Sequence, residues 1–328
     1  MRGSPKVTIY TVAERAGVSI STVSLAINAP HRVSEQTRVK VIAAAGALGY
    51  RTASARRPVA GMRIAVAAPF TTYQTYFRRF AGMLLRARET AIELAAHDLP
   101  SAASAKAPLL DALPARGGID GLIVMGVPLG SAALRASRDA ALPLVLVDVR
   151  RARPVGEDPP VVLLDDEAGG RLAGEHLRAR GHHHVVYLGE PLLSRDYIAA
   201  GQLRMRGLSD HVRITPIVCE LDADPTARLR EVLSGADAPT AIMANHDELA
   251  ARAWHGLRAE GFSVPGDVAI LGFDDGPLAQ TLDLTTVRQP FEESGRLALE
   301  MLIDTIAQPT RSIQRMELAP SLIVRTSA

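Results

Sequence analysis

Between Thr8 and Leu48 the apolar positions fall at helical spacing in three short runs. Val12, Ala13 and Ala16 follow Thr8, a good N-cap residue, until Gly17 interrupts; Val23, Ala26 and Ile27 follow Ser19 and stop near Asn28-Ala29-Pro30. Val39, Ile42, Ala43 and Leu48 follow Ser34 and stop at Gly49. The pattern predicts three short helices forming a small bundle. The stretch "RTASARRPVAGM" then reads as a linker, being small, basic and broken by Pro58. From Arg63 the character changes. "RIAVAAPF", "GLIVMGVP", "LPLVLVDVR", "PPVVLLDDE", "HVVYLGEP", "PTAIMANHDE" and "VAILGFDDG" are apolar runs of strand length, and amphipathic segments such as "EAGGRLAGEHLRARG" and "DELAARAWHGLRAEG" lie between most of them. Continuous apolar strands alternating with helices predict parallel sheets with helices on both faces, and this much sheet predicts two lobes. Ligands of such sheets bind beyond the carboxyl ends of the strands. The polar residues just after each run, Thr71, Thr72, Asp148, Asn245 and Asp274, are therefore candidate pocket residues.

Charge changes this picture. The chain of 328 residues has a formal net charge of +2, but residues 1–61 hold 9 basic and 2 acidic residues, net +7, and the rest holds 28 and 33, net −5. A small basic head on an acidic body points to a polyanionic partner. With 47% hydrophobic and 4% aromatic residues the core must be largely aliphatic. One cysteine, Cys219, leaves no intramolecular disulfide to form. No signal-peptide core and no apolar run near the roughly 18 residues of a membrane helix occur, so a cytoplasmic location is expected, with no membrane partner.

Two short helices joined through Gly17 fit helix-turn-helix geometry, in which the second helix enters the major groove N-terminus first. Its exposed face carries Ile20, Ser21, Thr22, Ser24 and Leu25. Hydroxyls and helix N-terminal amides suit phosphate contacts.

The segment "VTIYTVAERAGVSISTVSLAINAPHRVSEQTRVKVIAAAGALGY" closely resembles the head of the LacI/GalR (lactose repressor) family of bacterial transcription regulators. "VDVR", "DDEAGGRLAGEHLRARGHHHVVYLG", "PTAIMANHDELAARAWHGLRAEGFSVPGDVAILGFDD" and "LTTVRQPFEESGRLALEML" resemble that family's regulatory core in the same order. The resemblance implies a small all-α helix-turn-helix head plus an α/β two-lobed periplasmic-binding-protein-like core. The boundaries it implies are 1–50 for the head, 51–62 for a hinge and 63–328 for the core. Within the core, one lobe spans about 63–163 plus 290–320 and the other about 164–289 plus the C-terminal tail.

By resemblance, Ile20, Ser21 and Leu25 read bases, while Tyr10, Ser19, Thr22, Ser24, Asn28, Ser34 and Thr37 contact phosphates or lie near the DNA backbone. Leu25 stands where an arginine or another polar side chain is frequent, so thymine methyl groups replace guanine as the expected contact. Thr11 stands where an acid is frequent, and a weaker first-helix cap is the expected cost. The family's hinge helix wedges a leucine into the minor groove. That position here is Val59, preceded by Pro58, so either the hinge is shifted or shortened or the wedge is weak. Arg56 and Arg57 serve there as phosphate or minor-groove contacts, or belong to a basic flexible linker.

The resemblance further implies a small-molecule effector in the cleft between the lobes, a sugar or sugar derivative. Arg204, Asn245 and Asp274 match pocket positions, Asp148 is a weaker match, and Tyr73, Tyr76 and Phe77 line the cleft or pack. Arginine with asparagine could equally seat a carboxylate or phosphate. The first lobe departs from the family, because "HDLPSAASAKAPLLDALPARGGIDG" is short and lacks an apolar strand run; its second strand is expected to be missing or very short, which puts a sugar in question. A homodimer on a pseudo-palindromic operator is implied, with "TTVRQPFEESGRLALEMLIDTI" helping the C-terminal lobe to pair.

Other chemistry finds little support. No phosphate-cradling loop, nucleophile elbow or metalloprotease signature is present. The three histidines of "GHHHVVYLG" would alternate faces on a strand, so they read as a helix-to-strand turn rather than a metal site. "DDEAGG" reads as a helix cap. His255 and Trp254 read as packing or interface residues. No cofactor, metal or catalytic residue is expected. A ligand-responsive regulator therefore leads. One alternative is a regulator with an altered or lost pocket; another is a solute-binding protein or enzyme on the same scaffold, which would have no use for the head.

Overall fold

The computed structural model describes residues 7–50, 61–88, 90–100, 108–127, 129–151, 158–191, 197–220, 223–309 and 314–328. Arg56, Arg57, Pro58 and Val59 lie outside them. The chain divides into two compact units, Met1–Val162 with Phe291–Met316 and Leu163–Pro290 with Glu317–Ala328.

The head opens the first unit with α1 (Ile9–Ala16), α2 (Ile20–Asn28) and α3 (Glu35–Leu48). Gly17 ends α1 in the left-handed region at φ 65°, where a side chain would be strained, and the Val18 amide reaches back to the Ala13 carbonyl. Ser19 and Ser34 cap α2 and α3 by accepting from the amides of Thr22 and Thr37. The first turn of α1 carries no acid, and the Thr11 hydroxyl takes that place by accepting from the Thr8 amide at 3.0 Å. The face of α3 also differs from the pattern. Val41, Ala44 and Ala45 are buried with Ile42, whereas Val39 and Ala43 are exposed. The buried set runs 38, 41, 42, 45 on one helical stripe, with Arg38 folded over it, and the β-branched Val39 lies a quarter-turn off that stripe.

The rest of the first unit is built from β1 (Met62–Ala68), α4 (Thr75–Ala87), β2 (Ile92–Asp98), α5 (Pro108–Ala112), β3 (Gly121–Met125), α6 (Ser131–Asp139), β4 (Leu144–Val147), β5 (Arg150–Arg151) and β6 (Val161–Leu164). The second unit holds α7 (Asp166–Ala179), β7 (His184–Gly189), β8 (Tyr197–Ile198), α8 (Ala200–Ser209), β9 (Arg213–Val218), α9 (Thr226–Leu233), β10 (Ala241–Ala244), α10 (Asp247–Ala259), β11 (Ala269–Asp274), α11 (Pro277–Thr281) and β12 (Thr285–Arg288). The chain then returns to the first unit through α12 (Phe291–Ala307) and ends with β13 (Arg315–Leu318) and β14 (Ser321–Ile323).

Each unit is organised by one six-stranded sheet, ordered β13-β6-β4-β3-β1-β2 in the first and β14-β12-β11-β10-β7-β9 in the second. From β6 to β2 and from β12 to β9 neighbouring strands are parallel; β14 is antiparallel to β12. The seven apolar runs read from the sequence are β1, β3, β4, β6, β7, β10 and β11. The second strand of the first lobe is present and seven residues long, contrary to the expectation. β2 pairs with β1 in the register Ile64↔Leu94, and as an edge strand it is nowhere fully buried, so "IELAAHD" needs no continuous apolar run. The segment expected to help the C-terminal lobe pair is divided: its start forms β12 in the second unit and the rest lies in the first. Its helix α12 buries Phe291, Ala298, Leu299, Met301 and Leu302 in the first unit and packs on α4. Among the described residues no helix is long and apolar enough to cross a membrane.

Candidate functional site

In the head, the N-terminal turn of α2 is presented outward. Ile20 is 40% exposed, Ser19 and Ser21 are exposed, and Thr22, Ser24 and Leu25 are half-buried along the same helix. Tyr10 stands out from α1 at 67% exposure, Asn28 and Ser34 are exposed, and Thr37 is half-buried. The hydroxyls are not idle. Ser19 Oγ lies 3.0 Å from Ser21 Oγ and 2.8 Å from Thr22 Oγ1, and Ser34 Oγ lies 2.8 Å from Thr37 Oγ1, so two hydroxyl clusters sit at two helix N-termini. Such a pairing of amides and hydroxyls suits an anion.

In the second unit, strand ends and α8 bring together the residues expected to hold an effector. Arg204 is buried. Its Nε donates to Asp166 Oδ1 at 2.9 Å, its Nη1 donates to the backbone and side-chain oxygens of Asn245, and its Nη2 lies 4.0 Å from Asp274 Oδ1. The guanidinium also lies 3.9 Å from the centroid of the Phe273 ring, close enough for a cation–π contact. Burial works against the charge of Arg204, but Asp166, Asp274 and Tyr187 outweigh it and hold the guanidinium protonated more firmly than usual. Tyr187 OH donates to Asn245 Oδ1 at 2.9 Å, and Gln289 Nε2 donates to Asp166 Oδ1 at 3.0 Å. Burial drives the Tyr187 phenol far above its ordinary range, so it remains a donor. Asp274 adopts φ 109°, a strained conformation for a side-chain-bearing residue and of a kind that concentrates at functional sites.

The first unit carries a smaller version. Asp148, at φ 52° after β4, accepts from Arg79 Nη2 of α4, and the Arg79 guanidinium lies 4.3 Å from the Phe291 centroid and 5.3 Å from that of Tyr76. Thr71 lies two strands across the sheet and is taken up by Asp98, to which it donates from both its amide and its hydroxyl. Thr72 and Tyr73 form the turn before α4, with both amides on the Pro69 carbonyl, and Tyr73 meets Tyr76 edge-on at 6.2 Å. Phe77 is exposed and packs against Phe70. Asp148 thus joins Arg79, Tyr76 and Phe291, whereas Thr71 belongs to the end of β2.

Sequence reasoning missed Arg79, Asp166, Gln289 and Tyr187. "FRRF" looks like a solvated helix face, and "DDEAGG" like a cap. Asp165 does cap α7, accepting from the Ala168 amide, but Asp166 turns inward to Arg204. The histidine run behaves as a turn entering a strand, with His182 bonded to Thr240 and His184 to Thr215. A separate depression of about 520 Å³, lined by Asp224, Arg252, His255 and Leu278 among others, contains none of Arg204, Asn245 and Asp274.

Beside the Arg204 cluster lies an ionic knot around the buried His246. His246, the N-cap of α10, faces Glu190 through Nε2 and Glu248 through Nδ1, each at 3.1 Å. Burial opposes its protonation, but Glu190, Glu248 and the more distant Asp274 push its pKa up to about 9. Burial and the charge of Asp274 hold Asp247 well above the carboxylate range, against the hydrogen bonds from Thr286 and Gly276. A raised histidine pKa stabilises the fold fully below the unfolded value near 6.5 and loses that contribution as pH rises through 9. The expected result is a second-unit melting temperature that falls between pH 7 and pH 10, reflecting a loss of roughly 3 kcal/mol. His246→Asn, which keeps a good N-cap, should flatten that dependence. An unchanged pH profile in the variant would assign the loss to other groups.

Residues 8–53 match the family described as "Bacterial regulatory proteins, lacI family", and residues 175–328 match a "Periplasmic binding protein-like domain". The HTH-type transcriptional repressor PurR of Edwardsiella ictaluri is 30% identical over 341 residues, covering 98% of this chain and 96% of that protein. The ribose operon repressor of Escherichia coli is 29% identical over 338 residues, covering 98% and 99%. Among solved structures, a complex of the transcriptional regulator CelR with cellobiose is 26% identical with TM-score 0.68 and covers 98% of this chain and 100% of that one. A lac repressor dimer bound to operator and an anti-inducer is 25% identical with TM-score 0.66, covering 98% of each chain. These likenesses span head and core together, and the chain belongs to the lacI family of bacterial regulatory proteins.

Proposed function

We propose that this transcription regulator binds a pseudo-palindromic operator as a homodimer and that a neutral carbohydrate effector controls its affinity. On the DNA side, Ile20, Ser21 and Leu25 read base edges, and Tyr10, Ser19, Thr22, Ser24, Asn28, Ser34 and Thr37 position the head on the backbone. The outward presentation of Ile20 and Ser21 at the start of α2 carries this reading. Arg56, Arg57 and Val59 are assigned to the hinge on sequence alone. The lac repressor relative is a dimer on its operator. Here Phe77, Leu84 and Leu85, spaced i, i+7 and i+8 on α4, are exposed apolar residues that a second copy would cover.

On the effector side, Arg204, Asn245 and Asp274 take the ligand in the second unit, and Asp148 is assigned to the effector on sequence alone. Both buried arginines already face carboxylates, Arg204 with Asp166 and Asp274 and Arg79 with Asp148. An anionic ligand would meet no net positive charge at either cluster. A polyhydroxyl ligand can donate to the carboxylates and accept from the amides and guanidinium, which favours a neutral sugar over a sugar phosphate. The cellobiose complex and the ribose operon repressor among the relatives point the same way. The reading places the protein in the cytoplasm and assigns it no catalytic step or cofactor.

The test on the DNA side starts from a duplex selected by the full-length protein from a random library. Ile20→Ala should weaken binding to the selected duplex about ten-fold, the scale of one good base contact, and leave binding to unrelated duplex unchanged. Uracil in place of the contacted thymine should cause the same loss, and the two changes together no further loss. Equal weakening on both duplexes would make Ile20 a backbone contact. Calorimetry with neutral sugars and their phosphates tests the other side, and preference for a phosphate would overturn the charge argument.

A further inference from the structure

The head is not a self-contained bundle. Its buried core of Val12, Val23, Ala26, Ile27, Val41, Ile42 and Ala45 continues without a break into Ala112, Ala115 and Ala136, which belong to α5, the following turn and α6. Small residues on the lobe side let these helices approach α3 closely, and a Cβ added at Gly46 of α3 would lie 3.5 Å from Asp139 Cβ of α6.

One polar contact gives this joint a direction. A helix leaves its last carbonyls without partners and its C-terminus favours a cation, yet the last turn of α2 contains no basic residue. Arg116 supplies one from the lobe. Its Nε donates to the Ile27 carbonyl at 3.0 Å and its Nη2 donates to the Asn28 carbonyl at 3.1 Å. The lobe therefore holds the end of the recognition helix opposite to the one presented outward, where Ile20 is exposed.

We infer that the surface formed by α5, Arg116 and α6 is a docking site for the head of the same chain, and that it holds the recognition helix in a posture with its reading end free. Head and lobe move as one body, so a conformational change in the lobe reaches α2 directly through Arg116, in addition to anything carried along residues 51–60. The docking itself stands apart from the proposed DNA contacts; only the statement about posture rests on them.

A cysteine pair tests the docking in the full-length chain. Gly46→Cys with Asp139→Cys places two Cβ atoms within disulfide range. Mild oxidation should give an intramolecular bond, identified by peptide mass, at least ten-fold faster than for Tyr10→Cys with Asp139→Cys. Adding Arg116→Ala should slow closure at least ten-fold, with the melting curve of each reduced variant confirming that it is folded. Failure to close faster than the Tyr10 pair, closure unaffected by Arg116→Ala, or bonds formed only between chains would each overturn the docking. The oxidised protein should bind the selected duplex within ten-fold of its reduced form. A larger loss, with the bond intact, would overturn the posture while leaving the docking in place, and failure of the reduced protein to bind any duplex would instead sink the DNA-binding reading.

Discussion

Arg204→Ala should destabilise the second unit by about 3–5 kcal/mol, the cost of stripping the partner from a buried ion pair. Asp166 and Asp274 are both buried, and Arg204 bonds to the first and lies 4.0 Å from the second. Gln289 would still donate to Asp166 in the variant, but a neutral amide does not offset two carboxylates in a low-dielectric setting. The sign of the pH dependence follows from the same charges. With the guanidinium gone, the cost comes from uncompensated carboxylate charge, so the deficit should be largest at pH 7–8 and shrink as acidification neutralises that charge. Trp254, the single tryptophan, packs partly buried against the core of this unit and makes its unfolding separately visible by fluorescence. Urea titrations at pH 7.5 and pH 5 with that readout check both statements. A deficit below 1 kcal/mol, or one that grows on acidification, would mean that the carboxylates are not held by Arg204. Asp166→Asn together with Arg204→Ala should recover part of the loss, because one of the stranded charges is gone.

The architecture was legible where burial on both faces writes itself as a continuous apolar run. β1, β3, β4, β6, β7, β10 and β11 are central or near-central strands, and each appears as such a run. β2, β9, β13 and β14 lie at or near sheet edges or pair at one face only, so their sequences are mixed and gave little signal. The candidate site was legible to the same depth. Strand-end position and family resemblance found Asn245, Asp274 and Asp148, because the parallel sheet fixes where such residues emerge. Nothing local identified Asp166 or Arg79. Their role depends on which neighbouring helix they meet, and a helix-start aspartate or an arginine in an amphipathic helix has a commoner use at the surface. Arg116 was invisible for the same reason: its partners are backbone carbonyls nearly ninety residues earlier in the chain.

The helix crossings that place the two buried arginines suggest a second large effect, one that touches no polar group. In the second unit α7 and α8 cross through Gly170 and Gly207; a Cβ at Gly170 would lie 2.0 Å from the Arg204 carbonyl oxygen, and one at Gly207 would lie 2.0 Å from that of Glu167. The first unit repeats the device. A Cβ at Gly295 of α12 would lie 1.9 Å from the Arg79 carbonyl, and one at Gly82 of α4 would lie 1.8 Å from that of Glu292. The obstacle in each case is backbone, which cannot swing aside as a side-chain tip can. Alanine ordinarily favours a helix over glycine by about 1 kcal/mol, so the sign of the outcome decides between propensity and packing. Gly170→Ala and Gly295→Ala should each lose about 3 kcal/mol net as the helices are forced apart. Gly46→Ala in α3 supplies the contrast, because its new methyl meets no backbone, only the exposed Asp139 side chain (carboxylate oxygen at 3.1 Å, Cβ at 3.5 Å), and should cost little or stabilise. Separation at Gly170 also carries Arg204 away from Asp166, so the variant should lose affinity for whichever sugar binds the parent. Gly295→Ala should do the same to Arg79 and Asp148. If Gly170→Ala proved neutral or stabilising with ligand binding intact, α7 and α8 would have slack at their crossing, and the position of Arg204 would have to be set by its hydrogen bonds instead.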